Sequence, residues 1–295
     1  MSENKAHFTE RTIRQERKDG TVKYRTLMVP SEETMKRHRT MLQFLYSLAI
    51  PMPYATGAIP GKDLLDNVRP HRQSNSFYKL DLKNAFPSVD KVELGRIAQK
   101  PIIPKRHQSE VVHFIESWGT HPEIPGLPLG APTSPFLFNM YCLPMDRKLG
   151  AYCMDNGIIY TRYLDDLTFS VPDRLGKIRR KQLNSLIESQ PGMVINHPKS
   201  RVHNLDVGPV TITGISLYPD RRLGASPWLL ETAHQTFEQV ALDVNNGVPV
   251  LDEDIGRLHG YHGAIHQLTP GETPTTRRLD RAYFNALGRL GLLDD

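Results

Sequence analysis

Tyr160-Thr161-Arg162-Tyr163-Leu164-Asp165-Asp166-Leu167-Thr168-Phe169-Ser170 is the stretch whose reading decides this chain. An adjacent Asp pair lies between two short runs in which β-prone and polar residues alternate, a pattern of two strands. The acidic joint predicts a hairpin turn that presents both carboxylates at one tip. Carboxylate oxygens suit hard divalent cations such as Mg²⁺. Taken alone, the pair fits a solvated acidic loop as well as a cation perch.

A second acidic position stands at the end of an apolar strand. Phe77-Tyr78-Lys79-Leu80-Asp81-Leu82 predicts a buried strand that runs out at Asp81, followed by Lys83-Asn84-Ala85-Phe86. Asp81 with Asp165 and Asp166 would place three carboxylates on neighbouring strands. Such a set can hold two metal ions about 3.5–4 Å apart for in-line phosphoryl displacement. Between the acidic positions lies Gly126-Leu127-Pro128-Leu129-Gly130-Ala131-Pro132-Thr133-Ser134-Pro135. This loop, shaped by Gly and Pro, opens a helix and permits close approach of a nucleotide or template strand.

The chain has 295 residues, 39% of them hydrophobic and 23% charged, which places it among ordinary globular proteins and allows two or three subdomains. No apolar run reaches the roughly 18 residues of a membrane span, and residues 1–10 lack the apolar core of a signal peptide. Two cysteines, Cys142 and Cys153, offer neither a disulfide framework nor metal-ligand spacing, so reduced thiols and a cytoplasmic location are expected. The net charge of +5 is unevenly spread: residues 1–40 carry ten Lys/Arg against six Asp/Glu, and residues 174–201 carry seven against one. Basic surface of this kind suits a phosphate backbone. The C-terminal part is net acidic. There, His259, His262 and His266 fall on one face of an expected helix. With no His-Glu-x-x-His and no nearby Cys, packing or RNA contact is expected there rather than zinc.

Elements follow from local signals. Thr12 to Val29 predicts a hairpin around Lys18-Asp19-Gly20. Ser31 before Glu32-Glu33 caps a helix to about Leu48. Helices are expected over Lys91–Gln99, Gln108–Trp118, Pro132 to about Leu149, and Lys177–Gln190. Val207 to Leu217 reads as extended. Three helices follow from Ser226, broken at Gly247-Val248-Pro249 and Pro270-Gly271. The fold class is α+β, a mixed core followed by a helical part.

In order and spacing, Asp81 with Phe86, the Leu127-to-Pro135 loop and Tyr163-Leu164-Asp165-Asp166 resemble the motifs of reverse transcriptases, and more closely those of bacterial retron-type enzymes. Ile159-Tyr160-Thr161-Arg162-Tyr163 and Leu167-Thr168-Phe169-Ser170 look like that group. So do Asn67-Val68-Arg69-Pro70-His71, Ile212-Thr213-Gly214, Lys23-Tyr24-Arg25-Thr26-Leu27 and Arg257-Leu258-His259-Gly260-Tyr261. The resemblance covers about residues 10 to 290.

The resemblance implies a right-hand polymerase: fingers at 1–76, palm at 77–90, fingers/palm helices at 91–125, an antiparallel-sheet palm at 126–222 and a small helical thumb at 223–295. Asp81, Asp165 and Asp166, helped by the Leu82 carbonyl, would hold two Mg²⁺ ions, with Mn²⁺ able to substitute. Phe86 would exclude a ribose 2′-OH; Arg25, Leu129, Gly130 and Lys199 would border the dNTP, with Lys199 protonating the leaving pyrophosphate. Asn67, His71, Ile212, Thr213 and Gly214 would contact RNA. The implied partners are a non-coding RNA as template and primer, its cDNA product, dNTPs and an effector or toxin protein, in antiphage defence. Two positions depart from the pattern: Leu129 stands where the family usually has Gln, and Leu164 where retron enzymes often have Ala. Leu129 keeps open a defence-associated enzyme with protein-primed or weakly templated synthesis. An idle RNA-binding scaffold is disfavoured by the intact acidic trio.

Overall fold

The computed structural model describes residues 6–16, 22–269 and 271–293. The chain divides into two compact units, residues 1–203 and 204–295.

In the first unit, β1 (Phe8–Glu16) and β2 (Val22–Pro30) form an antiparallel pair in which Ile13 faces Arg25. The expected Lys18-Asp19-Gly20 tip lies outside the described residues. α1 (Glu32–Ser47) starts as expected: the Ser31 side chain accepts from the Thr34 N–H, and Glu32 and Glu33 favour the positive end of the helix. The short α2 (Leu64–Val68) begins with a capping box of Asp63 and Asp66 and runs into a 3-10 turn, Arg69–Gln73. Neither was visible in the apolar periodicity, because each is too short to show a period.

β3 (Ser76–Asp81) is followed by α3 (Lys91–Ala98), α4 (Lys105–Ser117) and α5 (Ser134–Asp155). α5 continues past the expected end at Leu149. It is apolar on nearly every face, with Phe136, Leu137, Phe138, Met140, Tyr141, Cys142 and Met145 all buried, so it is the central scaffold of the unit. β4 (Ile159–Tyr163) and β5 (Asp166–Val171) form the expected hairpin, followed by α6 (Lys177–Glu188) and β6 (Arg201–Asn204). The sheet order is β4-β5-β3-β6, with β5 antiparallel to both β4 and β3.

The alternation in the β4–β5 stretch does not mark a solvated face. Thr161, Thr168 and Ser170 are as buried as their apolar neighbours. Buried hydroxyls require partners, and His71 supplies two of them. Its Nε2 lies 2.8 Å from Thr161 Oγ1 and its Nδ1 2.6 Å from Ser170 Oγ. Thr161 also donates to the Asn67 carbonyl at 3.1 Å, and Ser170 donates to Ser74 Oγ at 2.8 Å, so each buried hydroxyl has a second partner besides the ring. Burial pushes the His71 pKa down to about 3, so the ring is neutral. His71 and Asn67, both expected to contact RNA, are buried in the fold.

The second unit contains a three-stranded antiparallel sheet, β7 (Val210–Ile212), β8 (Ile215–Leu217) and β9 (Leu223–Ala225). The single extended run expected over Val207–Leu217 is thus a hairpin. Thr213 and Gly214 take φ values of 46° and 89°, as a two-residue turn with two left-handed positions requires. Of the residues expected to contact RNA here, Ile212 is buried, whereas Gly214 is exposed at the tip. α7 (Pro227–Asn245), α8 (Asp252–Leu268) and α9 (Pro274–Arg289) are the three expected helices and share a core around Phe237, Leu258, Ile265, Leu279 and Tyr283. The sheet goes with these helices, since the Ala225 N–H donates to Thr269 Oγ1 at 2.9 Å. Among the described residues no helix is long and apolar enough to cross a membrane.

Candidate active site

The register of β3 against β5 sets Asp81 directly opposite Asp166. Cross-strand partners carry their Cβ atoms about 4.5–5.5 Å apart, so the two carboxylates share one face and one end of the sheet. Asp165 belongs to the two-residue turn between β4 and β5. Its carbonyl accepts from the Leu82 N–H at 3.0 Å, which ties the turn to the end of β3. The three acidic residues therefore lie at one end of the sheet.

The turn is strained. Leu164 takes φ 53°, a left-handed conformation that costs a non-glycine residue about 1–2 kcal/mol. A buried network holds it. Arg162 Nη1 donates to the Leu164 carbonyl at 3.1 Å and to Asn139 Oδ1 at 2.9 Å. Arg162 Nη2 and Nε donate to the Asp146 carboxylate at 2.6 and 3.0 Å. Asn139 in turn donates to the Gly57 carbonyl at 2.8 Å. Gly57 is needed for this approach, because a Cβ there would sit 3.1 Å from both the Leu164 side chain and the Tyr163 ring. Arg162 and Asp146 are both within 1% of full burial. Burial opposes the Arg162 charge, and the Asp146 carboxylate outweighs it, so the guanidinium stays protonated. Sequence reading did not single out Arg162, Asp146, Asn139 or Gly57. The one available signal was a charged residue inside an apolar strand.

The acidic cluster is short of positive charge. Burial first, then the neighbouring Asp165 and Asp81 charges, pushes the Asp166 carboxyl up to about 6, although Asp166 as a residue is exposed to solvent. Burial and Asp81 also raise Asp165, against the pull of Lys199 and Arg25. Lys199 Nζ lies 2.9 and 3.2 Å from the Asp81 oxygens, and Asn196 Nδ2 donates to Asp81 Oδ2 at 2.7 Å. An ammonium already stands in for a cation on one of the three carboxylates. Hard oxygen donors, raised carboxyl pKa values and this stand-in all fit divalent metal ions. With Asp81 drawn to Lys199, the trio does not bring one oxygen each within 4.8 Å of one another.

Phe86 is half-buried and stacks on Phe138 with ring centroids 5.0 Å apart, and the Arg162 guanidinium lies 5.8 Å from the opposite ring partner's centroid, Phe138. The Gly-rich loop is fitted to this point. The Leu127 N–H donates to the Phe86 carbonyl at 2.9 Å, and a Cβ on Gly126 would fall 2.5 Å from that oxygen. The Leu129 carbonyl accepts from the Met28 N–H at 2.7 Å, so Leu129 and Gly130 adjoin β2, the strand that carries the exposed Arg25.

Paired strand ends bearing carboxylates on an antiparallel sheet, backed by a buried helix, define a fold of the polymerase class. Telomerase structures share it: apo telomerase from Candida tropicalis superposes with a TM-score of 0.56 at 12% identity over 98% of this chain and 62% of that one. Telomerase from Candida albicans gives 0.53 at 11% identity, again over 62% of its length. At such identities the likeness shows the fold alone.

Residues 16–217 match the family model described as reverse transcriptase (RNA-dependent DNA polymerase). The Retron Ec83 reverse transcriptase of Escherichia coli is 32% identical over 89% of this chain and 84% of its own. The Retron Mx65 reverse transcriptase of Myxococcus xanthus is 33% identical over 65% of this chain and 48% of its own. The chain belongs to the reverse transcriptases of the retron group, enzymes that make DNA on an RNA template from dNTPs and use divalent metal ions.

Proposed function

We propose that this chain copies a dedicated non-coding RNA into cDNA by two-metal nucleotidyl transfer, in the setting of antiphage defence. The observation that carries the chemistry is Asp81 paired across the sheet with Asp166, with Asp165 in the adjoining turn. The likeness to retron reverse transcriptases is what suggests a dedicated RNA and this cellular setting. In this reading residues 1–76 and 91–125 serve as fingers, 77–90 and 126–222 as palm, and 223–295 as thumb. An effector protein is not part of the proposal.

Asp81, Asp165 and Asp166, with the Leu82 carbonyl, would hold two Mg²⁺ ions. When bound, these supply Lewis-acid activation of the primer hydroxyl and neutralise the charge on the leaving pyrophosphate. Release of Lys199 from Asp81 would free its ammonium to give a proton to that pyrophosphate. Phe86, braced by Phe138, would close the pocket floor against a 2′-OH. Arg25 would meet the triphosphate beside Leu129 and Gly130, and the Thr213-Gly214 turn would contact RNA.

Sequencing the nucleic acid that co-purifies with the protein tests the template assignment. A single RNA joined to its own cDNA, as a branched hybrid, is the expected result. A homopolymer or repetitive DNA would replace this reading with weakly templated or protein-primed synthesis.

A further inference from the structure

We propose that His262, His266 and Asp280 form a second metal site, chemically distinct from the carboxylate site, which takes a zinc-class divalent transition ion. His262 and His266 are four residues apart on α8 and so share one face of the helix. Asp280 comes from α9. The Nε2 atoms of both rings converge on the same oxygen, Asp280 Oδ1, at 3.0 and 2.6 Å. Among the described residues this is the one group of three such side chains whose ligand atoms all lie within 4.8 Å of one another.

The spacing is close to what an ion imposes. Zn–N and Zn–O bonds of about 2.0–2.2 Å around a tetrahedral centre separate the ligand atoms by roughly 3.3 Å. Widening the 3.0 Å contact by about 0.3 Å and the 2.6 Å contact by about 0.7 Å would bring both nitrogen–oxygen pairs to that spacing.

The first ligand is also oriented in advance. The His262 ring stacks on Tyr283 with centroids 3.8 Å apart and planes 7° from parallel. The Tyr283 hydroxyl is fixed in turn by His259 Nδ1 at 2.7 Å. The stacking fixes the plane of the His262 ring.

Two imidazoles and one carboxylate select zinc, cobalt or nickel over magnesium. Three protein ligands leave a fourth position open, and the His266 side chain, 43% exposed, gives an ion access. Bound there, the ion would clip α8 to α9 and stabilise the helical unit. The sequence concealed this site because its third ligand comes from a different helix.

The test uses the full chain with Asp165→Asn and Asp166→Asn, which removes ligands of the acidic site, stripped with a chelator and titrated with Zn²⁺ and with Co²⁺ in excess Mg²⁺. One Zn²⁺ retained per chain, a Co²⁺ absorption spectrum of low coordination number and a raised Tm are expected. His266→Ala and Asp280→Asn should each weaken Zn²⁺ binding roughly tenfold or more and cancel the rise in Tm. His113→Ala, on α4, should change neither. Failure of the parent to retain Zn²⁺ would overturn the proposal. So would retention and a Tm rise that survive both His266→Ala and Asp280→Asn, since the cluster would then be only a carboxylate shared by two imidazoles.

Discussion

Arg162 donates from its guanidinium to the carbonyl of Leu164, two residues further along the chain, at 3.1 Å. One buried side chain thus holds the strained turn that carries Asp165 while it is itself neutralised by Asp146. The cost of a left-handed Leu is offset by a network that gives the turn a single position.

Asn139 joins Arg162 to Gly57 and is not itself among the acidic residues. Asn139→Ala should lower kcat for primer extension by roughly 10- to 100-fold, the scale expected when reacting groups shift by about 1 Å, with little change in KM for dNTP. Asp146→Asn leaves a buried guanidinium short of its counter-charge and should cost about 3–5 kcal/mol in stability. Thermal melting and steady-state extension separate the two effects. An unchanged kcat in Asn139→Ala would remove the network from the account.

The acidic cluster gives a signed dependence on pH. Burial and the neighbouring Asp165 and Asp81 charges push the Asp166 carboxyl up to about 6 in the folded chain, from an ordinary 3.8. Between those values the folded chain holds more protons, so ion-free stability is greatest at the acid end and falls as pH rises through about 6. With allowance for solvent screening the loss is on the order of 1 kcal/mol. Melting from about pH 5 to about pH 7.5 in chelator should show this decline, and Asp166→Asn should flatten it. Protons and Mg²⁺ compete for the same oxygens, so the Mg²⁺ concentration at half-maximal activity should rise as pH falls. A requirement independent of pH would contradict the assignment.

Phe86 stacks on Phe138 and stands next to the Gly126 loop. Phe86→Ala should relax discrimination against ribonucleotides by roughly 10- to 100-fold, about the scale of a modest change in a packed pocket. Paired kcat/KM values for a dNTP and its rNTP measure it. An unchanged ratio would leave Phe86 as a packing residue.

His71 separates structural from RNA-binding roles. His71→Ala removes one hydrogen bond each from Thr161 and Ser170, which keep Asn67 and Ser74 as partners, and should cost about 0.5–1.5 kcal/mol per bond lost. RNA affinity of the folded fraction should not change. Weaker RNA binding at unchanged Tm would restore the contact expected from sequence.

Much of this architecture was legible in the chain. The hairpin at Asp165-Asp166, the cap at Ser31 and the three C-terminal helices follow from local signals, and local signals are what a sequence displays. The acidic trio was legible because Asp81 ends one patterned strand and Asp165-Asp166 stand at the joint between two others. The burial of His71 was not legible, because a polar residue in a motif reads as exposed until the sheet above it is known. Arg162 with Asp146, and Asp280 with its two histidines, were not legible, since each joins residues that only folding brings together. The short α2 and β9 carry too few residues to show a period.

Primer extension by the Asp165→Asn, Asp166→Asn double variant bears most directly on the central claim. It should fold with a Tm at or above that of the parent near neutral pH, because the raised Asp166 and Asp165 pKa values mean that the ionised carboxylates destabilise the fold. It should still bind RNA and yield no extended product at any Mg²⁺ or Mn²⁺ concentration. DNA synthesis surviving in that variant would contradict the claim that this turn is where the chemistry occurs.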